Sequence, residues 1–348
     1  MTREEAITGC LLGTAVGDAV GLACEGLPPK RQARLFPGLD GPRLLGRGGM
    51  VSDDTEHTCL VASALCESGR DPEQLQRALA RRLRGWLFLI PAGVGWATLR
   101  ATLKLCVGVP PDRSGVWSAG NGPAMRSAPL GVCFGDDPAR LAELVRVSAR
   151  LTHTDPRAEA GAWVVAVGAW LASQGTPDLP NAFQSATAHT EPELAGWIAK
   201  VVASVRAGEP TAQFAAAHGR TGGVSGYVYQ TVPVALHAWL SFPADCRAAV
   251  LAVVRCGGDT DTTGAIAGAL VGAAVGPPGI PADWRSALRE WPRTTSWMNR
   301  LAATLAATLE TGQPQKPPGL PLVPLLARNI AFAAVVLAHG FRRLLPPY

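Results

Sequence analysis

The chain has 348 residues, 47% of them hydrophobic and only 17% charged, with a formal net charge of +5. That balance excludes intrinsic disorder, and the length suffices for a large buried core. The charge is modest and no lysine/arginine run tracks a polyanion, so sequence-specific nucleic-acid binding is not expected and a small anionic ligand suits the balance better.

Eight cysteines are scattered without C-x-x-C or zinc-like spacing, which reads as reduced thiols in a core. Glu4 and Glu5 stand where a signal peptide would carry positive charge, so a cytoplasmic protein is expected. In chain order, Thr2 and Glu5 form a capping box for a helix through Ile7, Leu11, Leu12 and Val16, and Gly26-Leu27-Pro28-Pro29 ends it. Residues 31–49 read as an irregular connection. Ser52-Asp53-Asp54-Thr55 caps the next helix, Asp71-Pro72-Glu73 starts another, and residues 96–107 form a further one. Residues 109–122 read as a loop. A helix started by Asp137 and Pro138 reaches Leu151, a turn follows at Thr152–Pro156, and an apolar helix runs on through Leu171. The remaining helices are expected over 181–188, 192–207, 211–217, 232–241, 245–256, 262–275 and 281–309.

Period-2 alternation is not sustained anywhere, so the fold class predicted is all-α, a single orthogonally packed multi-helix domain. Residues 1–312 form that domain, 313–321 a stiff proline-rich linker, and 322–348 an apolar C-terminal helix. In the last segment the uninterrupted apolar run Ile330–Ala338 falls well short of the roughly 20 residues a spanning helix needs. Pro324, Arg328, Asn329 and His339 break the longer window. The segment is expected to dock its apolar side on the domain or on a partner subunit rather than to span a membrane. Surface attachment through Arg342 and Arg343 is the alternative.

Two glycine rows stand out. Gly264, Gly268, Gly272 and Gly276 recur at every fourth position, as do Gly9, Gly13, Gly17 and Gly21. A glycine costs a helix interior about 1 kcal/mol relative to alanine, so each row implies a face where another backbone comes close. Interlocking the two would carry Asp18 and Glu25 toward Asp259 and Asp261.

Ser52-Asp53-Asp54 and Asp259-x-Asp261-Thr262 offer carboxylates and hydroxyls at two helix starts. Either group alone fits helix capping. Together, clustered acids sharing a core repel unless cations compensate. The set is hard oxygen without nearby cysteine or histidine, which points to Mg²⁺ or Mn²⁺ rather than zinc.

Four pieces in order now carry a resemblance: Gly13-x3-Gly17-Asp18-Ala19 with Glu25 downstream, Ser52-Asp53-Asp54-Thr55, Gly120-Asn121-Gly122 through Met125-Arg126, and Gly257-Gly258-Asp259-Thr260-Asp261-Thr262. The chain resembles the ADP-ribosylglycohydrolase family over nearly all of residues 4–280. That resemblance implies an all-α domain with a two-Mg²⁺ centre that removes ADP-ribose from an acceptor such as an ADP-ribosylated protein side chain of arginine or serine type. It puts Ser52, Asp53, Asp54, Asp259, Asp261 and Thr262 on metal-ligand positions, Asp261 and Glu25 at the reacting centre, Ser118, Gly120, Asn121 and Gly122 on a phosphate loop, and His153 near the distal ribose. A Gly-Asn-Gly loop can aim backbone N–H groups at a diphosphate. Arg126 reads as structural, and Pro91-Ala92-Gly93-Val94-Gly95 carries no acid, which removes a second acid/base from that loop. Hydrolysis of another ADP-ribosylated or nucleotide small molecule, and a catalytically silent ADP-ribose binder, are the competing readings.

Overall fold

The computed structural model describes residues 1–345; the last three residues of the expected 322–348 helix lie outside them. Among the described residues the structure is helical, with isolated bridges and no strand. Helix α1 (Arg3–Leu22) begins with the expected capping box. Helix α2 (Pro29–Leu35) runs into the stretch expected to be irregular, residues 31–49. Pro29 pre-sets its first turn, and seven residues are too few to show a period.

Helix α3 (Asp53–Ser68) is capped by the Ser52 hydroxyl and α4 (Pro72–Phe88) by Asp71. Then come α5 (Trp96–Cys106) and two helices the sequence did not disclose, α6 (Gly122–Met125) and α7 (Ala128–Phe134). Both are buried all round, so no polar face marks their turns. The chain continues through α8 (Pro138–Arg150), α9 (Pro156–Ser173), α10 (Leu179–Ala186), α11 (Pro192–Arg206) and α12 (Thr211–Ala217). Helix α13 (Val228–Ser241) starts before the predicted Val232 and keeps Pro233 inside it. After α14 (Cys246–Val254) comes α15 (Thr260–Val275). The single helix expected over 281–309 is two, α16 (Ala282–Ala287) and α17 (Thr295–Thr311). Pro292 lies in the break, where it can neither donate to nor fit within a helical turn. Helix α18 (Leu322–Arg342) closes the chain.

The two glycine rows pack on each other as expected. Helices α1 and α15 lie antiparallel, so that Gly9 faces Gly272, Gly13 faces Gly268, and Gly17 faces Gly264. A Cβ on any of these would overlap the opposing carbonyl, and both helices are buried along most of their length. The ends of this pair bring Gly21 against Thr260, whose hydroxyl donates to the Gly21 carbonyl at 2.8 Å.

Helix α18 docks on the domain through part of its apolar side, with two polar residues buried beside it. Its seat holds Arg328, 1% exposed, together with Asn329, Leu325 and Phe332, while Leu322, Val323, Ile330, Leu337 and Phe341 stay exposed. The Arg328 guanidinium pairs with Glu56 at 3.1 Å and Glu290 at 2.7 Å, and Arg293 joins Glu56 at 3.0 Å. Glu290 and Arg293 come from the break between α16 and α17. The stretch ahead of α18 is strapped down, since Gln315 N donates to the Cys66 carbonyl and Trp297 Nε1 to those of Pro318 and Gly319. Helices α1 and α18 are both long and apolar enough to cross a membrane, yet α1 is enclosed by protein and α18 keeps Arg328 and Asn329 in the core.

Candidate active site

The residues around the acids are held by a tight loop. Gly257 and Gly258 both adopt positive φ, 68° and 80°. Gly258 N donates to the Leu27 carbonyl at 2.9 Å, and Asp259 N to that of Val224 at 2.7 Å. The loop is thus clamped between the segment after α1 and the segment before α13. A side chain at Gly258 would overlap Val224, so the glycine is required by both conformation and space.

From this clamp Asp259, Asp261 and Thr262 face Ser52, Asp53 and Asp54 across one cleft, with Glu25 at its rim. Asp54 Oδ2 accepts from the Ser52 hydroxyl at 3.0 Å and the Thr262 hydroxyl at 3.3 Å, joining the two acid groups directly. Asp54 Oδ1 is buried with no hydrogen-bond partner. Burial first, and then neighbouring carboxylates, push Asp53, Asp54 and Asp261 well above the usual carboxylate range. Glu25 opens to solvent on its outer side. On its inner side protein crowding and the Asp259 charge raise its pKa.

Asp18, fully buried, underpins the first group. It accepts from Ser52 N at 3.0 and 2.9 Å, from Thr55 N at 3.2 Å and from the Thr55 hydroxyl at 2.5 Å. Burial raises its pKa to about 7 despite these bonds. The glycine rows foretold its approach. Its task, orienting the 52–55 turn, becomes visible only in the hydrogen bonds.

The opposite wall is the 118–122 loop with His153. Ser118, Gly120, Asn121, Gly122 and His153 all line the cleft, as expected. Two of the loop's N–H groups are already engaged, Gly120 N with the Ser118 hydroxyl at 3.3 Å and Asn121 N with the Gly226 carbonyl at 3.0 Å. The loop therefore offers a ligand fewer backbone donors than its glycines suggested. Asn121 Nδ2 donates to Asp259 Oδ2 at 2.7 Å and to the Thr231 hydroxyl at 2.9 Å, so it links the loop to the acids.

His153 is buried, and desolvation with the Arg126 charge lowers its pKa to about 3, so it is neutral at physiological pH. Arg126 Nη2 donates to the Thr152 hydroxyl at 2.8 Å, which lies 2.9 Å from His153 Nδ1. Assigning the hydroxyl proton to that 2.9 Å bond leaves the imidazole proton on Nε2, on the side of Gly120. Arg126 itself is wholly buried against Ser148, Thr152 and His57 and does not line the cleft.

The cleft has a volume of about 350 Å³. Sequence reasoning missed its third wall: Leu22, Ala92, Gly93, Gly95 and Trp96, with Phe332 and Val336 of α18. No motif marks Phe332 and Val336 as site residues, because nothing local to the helix says which of its apolar side chains meets the cleft. The 91–95 loop lines the cleft without an acid.

A hard-cation site can be tested against this geometry. The orphaned Asp54 Oδ1, the all-oxygen donor set and the crowded carboxylates are what such a cation would satisfy. Among the described residues no three carboxylate, imidazole or thiol groups already form a metal-holding cluster. The donors line a cleft and fit a cation by their chemistry.

An all-helical fold with one cleft walled by acids and by a Gly-Asn-Gly loop defines a class, and sequence comparison gives it a name. The model of the ADP-ribosylglycohydrolase family matches residues 1–315, and the chain belongs to that family. It is 28% identical to the ADP-ribosyl-[dinitrogen reductase] glycohydrolase of Rhodospirillum rubrum, over 80% of this chain and 89% of that one. It is 24% identical to mouse ADP-ribosylhydrolase ARH3, over 82% and 88%. A protein of Archaeoglobus fulgidus is 35% identical over 47% of this chain and 54% of its own length. A solved ADP-ribosylglycohydrolase-related protein superposes with a TM-score of 0.62 at 30% identity, covering 88% of this chain and 99% of that one. Family and relatives together support ADP-ribosyl glycohydrolase activity.

Proposed function

We propose that the chain is a Mg²⁺-dependent hydrolase, with Mn²⁺ as a substitute, that cleaves the glycosidic bond between ADP-ribose and an arginine- or serine-type acceptor. The observation that carries this reading is the buried, unpartnered Asp54 Oδ1 in a group of mutually repelling acids, facing a neutral polar loop across one cleft. Ser52, Asp53, Asp54, Asp259, Asp261 and Thr262 would hold two cations. Bound there, the cations supply charge stabilisation and a more acidic water.

The chain's own residues do the rest. Ser118 and the 120–122 loop bind the diphosphate. The neutral His153 donates a hydrogen bond through Nε2 to a ribose hydroxyl, where an imidazolium would not be held so deeply. Asn121 fixes Asp259 in register with that loop. Cleavage at a ribose C1″ passes through an oxocarbenium-like state and needs a proton moved at the leaving atom. Glu25 is the carboxyl suited to that role, because it stands at the rim of the cleft and crowding and the Asp259 charge raise its pKa above the ordinary carboxylate value. Asp261, which lines the same cleft and feels the Glu25 charge, would direct its own charge to the cation. A cytoplasmic location fits free thiols, and all eight cysteines are unpaired.

The test is release of ADP-ribose from arginine-, serine- and nucleic-acid-linked substrates, with Mg²⁺ and with a chelator. Chelator-sensitive release from an arginine or serine linkage is expected. Release from none of them, with ADP-ribose still bound, would show a silent binder.

A further inference from the structure

Helix α18 lies beyond the residues matched by the family model, yet it supplies part of the cleft. Its attachments fall on the segments that carry the chemistry. Arg328 Nη2 donates to the Val51 carbonyl at 2.6 Å, one residue before Ser52. Asn329 Nδ2 donates to the Leu89 carbonyl at 2.8 Å, just before the 91–95 loop. Arg343, following the helix, donates to the carbonyls of Glu25 at 2.5 Å and Ala23 at 2.7 Å, and His339 Nε2 lies 2.9 Å from the latter. Between these anchors Phe332 packs with Leu22, Ala23 and Met50, while Val335 and Val336 pack against the same group.

From this placement we infer that α18 is an acceptor-selecting wall: Phe332 and Val336 limit the space beside Glu25 to a small acceptor and turn away one presented on a folded protein surface. This deepens the proposed function and rests on it. The cleft's roughly 350 Å³ is at the low end of small-ligand sites, so a nucleotide-sized group against the 118–122 loop leaves little room on the Glu25 side. What remains there is faced by apolar side chains. They offer no hydrogen bonds to a peptide backbone, and Arg328 and Arg343 pin their helix at both ends. A free ADP-ribosylated amino acid or similar small molecule fits that space, whereas a peptide chain must pass the helix itself.

The experiment compares kcat/KM for one linkage, arginine or serine, on the free amino acid and on a folded protein. It uses the full-length protein and its Phe332→Ala, Val336→Ala and Phe332→Leu variants. The wild type is expected to favour the free amino acid. Each alanine variant should gain at least about tenfold on the protein substrate relative to the free one, the range that a pocket methylene or two controls, and Phe332→Leu should keep the wild-type preference. A gain on the larger substrate is not something structural damage produces. Val336 is only half-buried, so its variant reports even if Phe332→Ala unfolds. An unchanged ratio in a folded Val336→Ala variant, or a wild type indifferent to acceptor size, overturns the wall. No hydrolysis of either substrate overturns the functional reading, and the wall with it.

Discussion

The α1–α15 pair and the α18 seat hold their helices by opposite physics. In the first, two backbones meet along facing glycines, with no side chain between them and nothing to rearrange. In the second, Arg328 reaches into the core to satisfy Glu56 and Glu290, while most of the helix's apolar residues remain outside. The first depends on an absence of atoms and tolerates no addition. The second depends on charge balance and tolerates no deletion, because a buried carboxylate that loses its partner keeps its desolvation cost. The two meet at Glu25, whose carboxyl faces Asp259 and Asp261 near the start of α15 and whose carbonyl accepts from Arg343.

The largest effect is expected where they meet. Glu25→Gln should lower kcat by on the order of 10²–10⁴, the range for losing a general acid or base, with Mg²⁺ affinity little changed. Collapse of Mg²⁺ affinity in that variant, measured by titration calorimetry, would instead make Glu25 a metal ligand. At the α18 seat, Arg328→Met should destabilise by about 3–5 kcal/mol, since Glu56 and Glu290 stay buried with less compensation. A denaturation midpoint equal to that of the wild type would show that Arg293 alone balances both acids. At the glycine pair, Gly13→Ala should cost about 1–3 kcal/mol by overpacking, although alanine is the better helix former. A stabilised Gly13→Ala protein would mean that the helices can part without penalty.

A further effect is pH-linked. Asp18, Asp53, Asp54 and Asp261 have raised folded-state values, so the native chain binds more protons than the unfolded one. Their contribution to metal-free stability is present below the ordinary carboxylate pKa of about 4. It is lost as pH rises toward and through about 7, the value for Asp18. Without divalent cation, Tm should therefore fall between pH 5 and pH 8. A fixed concentration of Mg²⁺ should stabilise more at pH 8 than at pH 5, by about 2.7 kcal/mol where it stands at a hundredfold excess over its Kd. A Tm that is flat with pH and indifferent to Mg²⁺ removes the cation from the site.

Much of this was legible in the sequence because its signals were periodic or local. The Thr2–Glu5 box, the Ser52 and Asp71 caps and the two glycine rows each occupy a few neighbouring turns, and the structure has all of them where they were expected. The same holds for Glu25 and the 259–262 group, which share one cleft because the facing glycine rows carry the end of α1 to the start of α15. Helices α6 and α7 were not legible, since burial on all sides erases the polar face that periodicity needs. Neither was the end of α16, where the Pro292 break looked like part of a longer apolar helix.

By itself, then, the order of residues determined an all-helical chain, the close approach of α1 to α15, and with it the approach of Asp18 and Glu25 to Asp259 and Asp261. Each of these follows from propensities and spacings acting within a helix or between two matching rows. Only the tertiary structure decided that Asp18 orients the Ser52 turn, that Asn121 is bound to Asp259, and that Phe332 and Val336 close the cleft. Arg328 finds Glu56 across 272 positions, and no repeat or spacing encodes such a pair. Whether a buried charge is answered depends on which surfaces the whole fold brings together.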